Sequence, residues 1–309
     1  MRITSDTYST LLLNGSQTSQ QQLATLQQQI STGQSVQLAS DNPLAYEEAS
    51  QTQTSLAQLN TYNQAATEAN ALATQNNSAV TSLHQIVAQA SELATSVTTN
   101  MSAAQLQAIG TQMSTLVTQI TSIANQRSVN GTYLFGGTSN QPPITSTGTY
   151  NASTNGVEAT IEVQPGNAVQ TGIVAGRPGT PPVNGFLYDA TTGVDVLGAL
   201  NQAVTDLNAG NATAVQSTDL PALNNSLNLV SQYVGSTAAN LSAIQTASQS
   251  LSQQITSQSD QLNTLTQTNL PDAELQLQQI QNQYQASLEA GSRILSMSLL
   301  NYIGTVPTT

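Results

Sequence analysis

The chain has 309 residues, of which only 6% are charged; lysine, cysteine and tryptophan are absent, and the cations are Arg2, Arg127, Arg177 and Arg293. A formal net charge of −12 with no basic run leaves nothing to neutralise phosphates, which excludes nucleic acid and anionic membrane surfaces as partners. Disulfides and thiolate metal sites are excluded too, no stretch approaches the ~18 apolar residues of a membrane span, and the opening, with Leu11-Leu12-Leu13 as its only apolar run, does not read as a cleaved signal peptide.

The first predicted element is a helix in which Ser19, Leu23, Leu26 and Ile30 keep a 3–4 spacing and Gly33 supplies the stop. Ser40-Asp41-Asn42-Pro43 then reads as a helix start, because an Asn side chain caps free N–H groups and proline fits the first turn. Glu47 and Glu48 are expected to favour that first turn by their charge. A looser, alanine-rich tract passes through Leu56 and Leu59. Two clean heptad tracts follow: Val80, Leu83, Val87, Ala90, Ala94, Val97, and Leu106, Ile109, Met113, Leu116, Ile120, Ile123.

The composition changes between Gly136 and Thr192, where Pro142, Pro143, Pro165, Pro178, Pro181 and Pro182 concentrate and the helical beat disappears. Short β-like runs replace it at Val157 to Val163 and Ala168 to Val174. In the first, Val157, Ala159, Ile161 and Val163 alternate with Glu158, Thr160 and Glu162, which predicts a half-buried strand.

The longest signal is C-terminal. Leu220, Leu223, Leu227, Val230, Val234, Thr237, Leu241, Ile244, Ser248, Leu251, Ile255, Gln258, Leu262 and Leu265 step by three and four without a break, and only Thr237, Ser248 and Gln258 are polar. A 3.5-residue period held this long predicts a helix wound against partner helices, roughly 68 Å in length. Pro271 should separate it from a last helix whose face is Leu277, Ile280, Tyr284, Leu288, Gly291, Leu295 and Leu299.

The expected fold is therefore mainly α: a long antiparallel coiled-coil rod formed by the N- and C-terminal halves, with a small β-rich insertion. Residues 1–42 with 270–309 would form a terminal helical coiled coil, 43–135 with 193–269 the rod, and 136–192 the insertion. The rod core is assigned to Leu83, Val87, Ile109, Met113, Leu116, Ile120, Leu227, Val230, Val234, Leu241, Ile244, Leu251 and Ile255.

Ile30-Ser31-Thr32-Gly33, followed by Ala39-Ser40-Asp41-Asn42-Pro43-Leu44-Ala45, resembles the N-terminal signature of flagellin-type axial proteins. Met1-Arg2-Ile3, Asn130-Gly131-Thr132-Tyr133-Leu134-Phe135-Gly136-Gly137 and Leu299-Leu300-Asn301-Tyr302-Ile303 resemble the hook–filament junction branch, hook-associated protein 3, rather than filament flagellin. The likeness covers about the first 137 and last 110 residues, and departs from the family where Gln34-Ser35 replaces the usual basic residue and where Asn42 replaces an acid.

This resemblance implies a structural adaptor of the bacterial flagellum, joining the hook, via another hook-associated protein, to the flagellin filament. A filament flagellin subunit is the alternative. It implies no catalysis and no cofactor. The implied partners are further copies of the chain in a ring, another hook-associated protein, flagellin, and an export chaperone with the type III export apparatus, and the implied location is the extracellular flagellum. Terminal helices of this family order on assembly, so Leu23, Leu26, Ile30, Leu277, Ile280, Tyr284, Leu288, Leu295 and Leu299 are expected at the assembly interface, with Ser40, Asp41, Asn42 and Pro43 as the motif loop.

Few residues offer chemistry. His84 is the only histidine and follows Leu83 in a heptad tract, so a solvated or rim position is expected. Glu47 and Glu48 are adjacent on a helix and diverge by about 100°. Glu158 and Glu162 would share a strand's polar face. Arg127 is expected to pair with a carboxylate at a helix end or, as the second reading, to make a subunit contact, and Tyr133 and Phe135 to anchor the turn that leaves the rod. The sparse charge further predicts an exterior that keeps assembling when carboxylates protonate below about pH 4.

Overall fold

A computed structural model describes residues 5–128, 130–139, 141–145, 148–154 and 156–304, with side chains of the terminal helices described for residues 10–293 and 296. The chain divides into two compact units, Met1–Ala57 with Thr256–Thr309, and Gln58–Ile255.

The first unit contains α1 (Ser5–Thr32), the start of α2 (Pro43–Ser96), the end of α6 (Leu220–Thr266) and α7 (Leu270–Gly304). Helices α1 and α7 run antiparallel: Gln20 Nε2 donates to Tyr284 Oη at 2.8 Å, and Gln34 bridges Gln267 at the other end. Helix α1 stops because Gly33 adopts φ 71°, where a side chain would be strained. The break before Pro271 lies opposite that stop. There Ser35 N donates to Thr266 O at 2.7 Å and Thr268 N to Gly33 O at 2.9 Å, so the interrupted backbones satisfy each other.

Helix α2 opens as the sequence predicts. Asn42 Oδ1 accepts from Ala45 N at 3.2 Å and Pro43 is the first helical residue. Glu47 and Glu48 are a correction: both lie beyond the first turn, which carries no acid, so the dipole effect expected of them falls away with distance.

The second unit holds the rest of α2 and α6, then α3 (Ala103–Ala124), β1 (Thr160–Gln164), β2 (Asn167–Gln170), β3 (Tyr188–Asp189), β4 (Val194–Asp195), α4 (Val196–Asn208) and α5 (Ala212–Ala214). Ser102 and Gln105 form a reciprocal capping box that starts α3. Within this unit α2 and α6 are antiparallel: Ser91 Oγ donates to Asn224 Oδ1 at 2.8 Å, and Thr237 Oγ1 to Asn77 Oδ1 at 3.1 Å. Thr237, a polar step in the apolar beat, is thereby buried and satisfied.

Two hydrophobic clusters fill the second unit. One packs the alanines Ala66, Ala69 and Ala73 of α2 against Ile244 and Leu251 of α6, with Val163 from β1. The other joins Leu83, Val87, Leu106, Met113 and Ile120 to Leu200, Leu223 and Val230, and takes in Ile144, Ile173, Phe186 and Leu187 from the β-rich segment. Phe135 meets Phe186 edge to face at 4.8 Å, and Phe186 meets Tyr233 at 6.3 Å. Described residues between 136 and 192 therefore contribute to both clusters alongside the helices.

The strands differ from the expected bounds. β1 and β2 form a hairpin turned at Gly166 (φ 73°), but the pairing stops at Thr160–Gln170. Beyond it, Thr171 N and Gly172 N both donate to the single carbonyl of Ala159, which ends the ladder. Val157 and Ala159 are consequently exposed rather than half-buried, and only Val163 of the predicted face is fully inside. β3 pairs with β4, and Asp195 caps α4 through Gly198 N at 2.8 Å.

Candidate functional site

The unusual surface of this molecule is apolar and lies on the first unit. Leu11 (68% exposed) and Leu13 on α1, Leu38 in the motif loop, Leu44 (67%) and Tyr46 at the start of α2, and Leu270, Leu275 (58%) and Leu288 (50%) on α7 all face solvent. Fully buried apolar residues in the same unit are, among the described residues, Leu26, Ala49 and Ala273. Of the large apolar residues most exposed among the described ones, all but Val157 belong to this unit.

The predicted interface residues separate into two groups. Leu26 is buried, and Leu23, Ile30, Leu277, Ile280 and Tyr284 are half-buried within the unit, so the regular stripe serves mainly to hold α1 and α7 together. Leu288 stays open to a neighbour. The side chains of Leu295 and Leu299 lie outside the described residues, as do Met1, Arg2 and Ile3. Leu11, Leu13, Leu38, Leu44, Tyr46, Leu270 and Leu275 are exposed as well, though outside the expected set. The Leu11-Leu12-Leu13 run carried a signal for the first two, because three adjacent apolar residues cannot all face one helix partner.

The motif loop is built by its acid. Asp41 Oδ2 accepts from Leu38 N at 2.9 Å and Gln37 N at 3.1 Å, and these donors hold its carboxyl below the usual carboxylate range. The loop thus presents Leu38 outward, next to a hollow of about 400 Å³ lined by Gln34, Val36, Tyr46, Ala49 and Ser50. Ser40, Asp41, Asn42 and Pro43 are all exposed.

In the second unit, Leu83, Val87, Met113, Leu116, Ile120, Val230, Ile244 and Leu251 are buried, while Ile109, Leu227, Val234, Leu241 and Ile255 are half-buried. Gly110 takes the buried place beside Ile109: a Cβ there would lie 2.8 Å from Asn208 Oδ1, so the glycine lets α4 approach α3.

Arg127 corrects an expectation. It lies past the end of α3, and its guanidinium stacks 4.2 Å over the Tyr133 ring, with Nη1 donating to Gly131 O at 2.8 Å and Nη2 to Tyr133 Oη at 2.9 Å. It rivets the turn around Asn130-Gly131 instead of pairing with a carboxylate. Phe135 is 1% exposed and so anchors the interior.

Several further polar groups are locally engaged. Tyr150 Oη lies 2.7 Å from Asp195 Oδ1 and 2.9 Å from Leu187 O; burial first, and the Asp195 charge second, push its phenol up. Burial also pushes the Glu158 carboxyl up, against the hydrogen bond it accepts from Gln170. Glu162 Oε1 accepts from Gly166 N at 2.8 Å. His84 is half-buried on α2. Among the described residues no three His, Cys, Asp or Glu side chains gather in a metal-binding group, and no helix is long and apolar enough to cross a membrane.

Helices from the two ends of the chain thus pair with each other, and large apolar side chains on them stay exposed. Residues 3–140 match the family of the bacterial flagellin N-terminal helical region. Among solved structures, the chain is similar to a flagellar hook-associated protein of Vibrio parahaemolyticus, at 14% identity and TM-score 0.63, over 74% of this chain and 100% of that one. It is similar to FlgL of Bacillus cereus at 20% identity and TM-score 0.57, over 69% and 99%. The flagellar junction protein FlgL of Legionella pneumophila superposes with TM-score 0.55 at 10% identity, over 71% and 99%. No curated protein sequence matches.

Proposed function

We propose that this protein is a structural adaptor of the bacterial flagellum that joins the hook, through another hook-associated protein, to the flagellin filament. The observation that carries this reading is the row of open leucines on α1 and α7, in a fold shared with hook-associated and junction proteins. The pair α1–α7 forms the inner element, drawn from residues 1–42 and 270–309. Residues 43–135 with 193–269 form the rod, and residues 136–192 the outward part. Burial of Leu11, Leu13, Leu275 and Leu288 against neighbouring copies in a ring provides the driving force, at about 25 cal/mol per Å² of apolar surface. The protein catalyses no reaction. It leaves the cell through the type III export apparatus with a chaperone, and it works outside the cell.

A filament flagellin is the second reading, favoured by the match of residues 3–140 to the flagellin N-terminal region. Immunogold electron microscopy of intact flagella, with antibody raised against residues 136–192, separates the two. A single cluster of label where hook meets filament is expected. Label along the whole filament would make the chain a flagellin, and flagella without label would end the flagellar reading.

A further inference from the structure

Two carboxylates meet where α4 packs against the start of α6. Between α5 and α6 the chain makes one π-helical turn, Val215–Asp219, closed by Leu220 N donating to Val215 O. Pro221 follows at once. It has no N–H to give to the preceding turn, and the widened turn makes room for its ring. The same turn carries Asp219 inward beside Val215 and Leu223, leaving it 1% exposed, with Oδ2 lacking any hydrogen-bond partner. The side chain that Asp219 does meet is another acid, Asp206 of α4. Asp206 is fixed by its own neighbours: Oδ2 accepts from Gln202 Nε2 at 2.8 Å, Oδ1 from Asn211 Nδ2 at 3.4 Å, and its carbonyl from Asn211 N at 2.9 Å.

Among the described residues no cation acts on this contact. α5 carries no ionisable group, and the other acid of α4, Asp195, stands at the opposite end, engaged by Gly198 N and Tyr150. The turn also touches the end of α2, where Gln216 Nε2 donates to Val97 O at 2.5 Å; residues 97–102 are all uncharged, and Glu92 lines a separate groove with Gln89, Gln112 and Thr115. A carboxyl buried without a hydrogen-bond partner at Oδ2 and facing a second acid resists ionisation.

We propose that Asp219, buried without a partner at Oδ2 and facing Asp206, takes up a proton in acid and that this makes the joint between α4 and α6 a device that tightens the second unit in acid. The inference stands independently of the flagellar reading. Burial first, and the Asp206 charge second, push the Asp219 carboxyl up to about 6, against 3.8 for an unperturbed one. Between those values the folded chain binds a proton that the unfolded chain does not. The stabilisation is fully present below about pH 4 and is lost as pH rises through about 6. Acidification, which loosens most proteins by protonating paired carboxylates, here removes a buried charge.

Thermal unfolding of the full chain by circular dichroism at pH 7.5, 6.0 and 4.5 tests this, for the wild type, Asp219→Asn and Asp206→Asn. The Tm of the wild type at pH 4.5 relative to pH 7.5 should exceed the corresponding difference in Asp219→Asn by about 3–6 °C. Asp219→Asn should also melt no lower than the wild type at pH 7.5. The comparison cancels other acids, including Glu158, which shifts in the same direction. In parallel, ¹³C NMR of the aspartate carboxyls should show Asp219 titrating near pH 6 in the wild type and lower in Asp206→Asn, which decides the matter even if Asp219→Asn does not fold. An Asp219 midpoint in the ordinary carboxylate range, or an Asp219→Asn variant with the full acid response, overturns the proposal.

Discussion

The second unit closes its large side chains into two clusters, with Phe135, Phe186, Leu83 and Leu223 essentially out of water, whereas the first unit leaves Leu11, Leu44, Leu275 and Leu288 half or more exposed. The contrast runs within single helices. In α2, Leu44 and Tyr46 near the N-terminus are exposed, while Leu83 and Val87, some ten turns on, are fully buried. Helix propensity and composition do not differ enough along α2 to account for this. What differs is what lies alongside: the later turns have α6, α3 and the β-rich segment to pack against, and the first turns have only the end of α6 and the motif loop. A unit that has satisfied its own apolar surface folds by itself. One that has not is stabilised further by whatever covers it, and in a polymer that cover is the next subunit.

The largest effect expected from breaking this contrast is in the second unit. Phe186→Ala should cost about 3–5 kcal/mol in urea unfolding, because Phe186 is fully buried and touches both Phe135 and Tyr233. A cost near zero would mean that the β-rich segment does not share the helical core. The opposite outcome is expected on the first unit. Leu275→Ala together with Leu288→Ala should change the stability of the monomer by less than about 0.5 kcal/mol, while the same variant, produced in cells, should leave hooks without filaments. If the monomer were strongly destabilised, those leucines would be internal contacts, and the candidate surface would shrink to Leu11, Leu13 and the motif loop.

The parts of this arrangement that follow a local rule were readable in advance. The bounds of α6 coincide with the heptad run from Leu220 to Leu265; Gly33, Asn42-Pro43 and Pro271 sit at the helix ends their chemistry requires. The continuity of α2 from Pro43 to Ser96 was harder to see. Its Ala66-Ala69-Ala73 seam is small enough to pack on Ile244 and Leu251 yet too weakly apolar to mark a face. Helix α4 carried a signal in Asp195 and in the spacing of Val196, Leu200, Ala203 and Leu207, but lay beside a segment whose prolines suggested only strands and loops. The contacts of Phe135 with Phe186 and of Asp219 with Asp206 could not be read at all, since each depends on two residues that only the folded backbone brings together. The same holds for the proposed assembly surface. Periodicity marks which residues are apolar, and Leu26 and Leu288 look alike in that respect; only the partner helix decides which of them is already covered.

The smallest predicted effect concerns the loop that presents Leu38. Asp41 is fully exposed, and the amides of Leu38 and Gln37 lower its carboxyl below the usual value of 3.8. A depressed carboxylate stabilises the loop at every pH above that value, and the benefit is lost as pH falls through the lower, folded one. Asp41→Ala should therefore speed hydrogen exchange at the amides of Gln37 and Leu38 near neutral pH, because both lose their acceptor. Exchange in the Leu83 and Leu223 turns of the second unit should not change, nor should the urea midpoint. The wild type in strong acid should lose protection at the same two amides, once the change in intrinsic exchange rate is removed. This response opposes that of the Asp206–Asp219 pair: acid should loosen the motif loop of the first unit while it tightens the α4–α6 joint of the second. If instead both regions lose protection together on acidification, the acid response belongs to the whole chain, and neither carboxylate arrangement governs it locally.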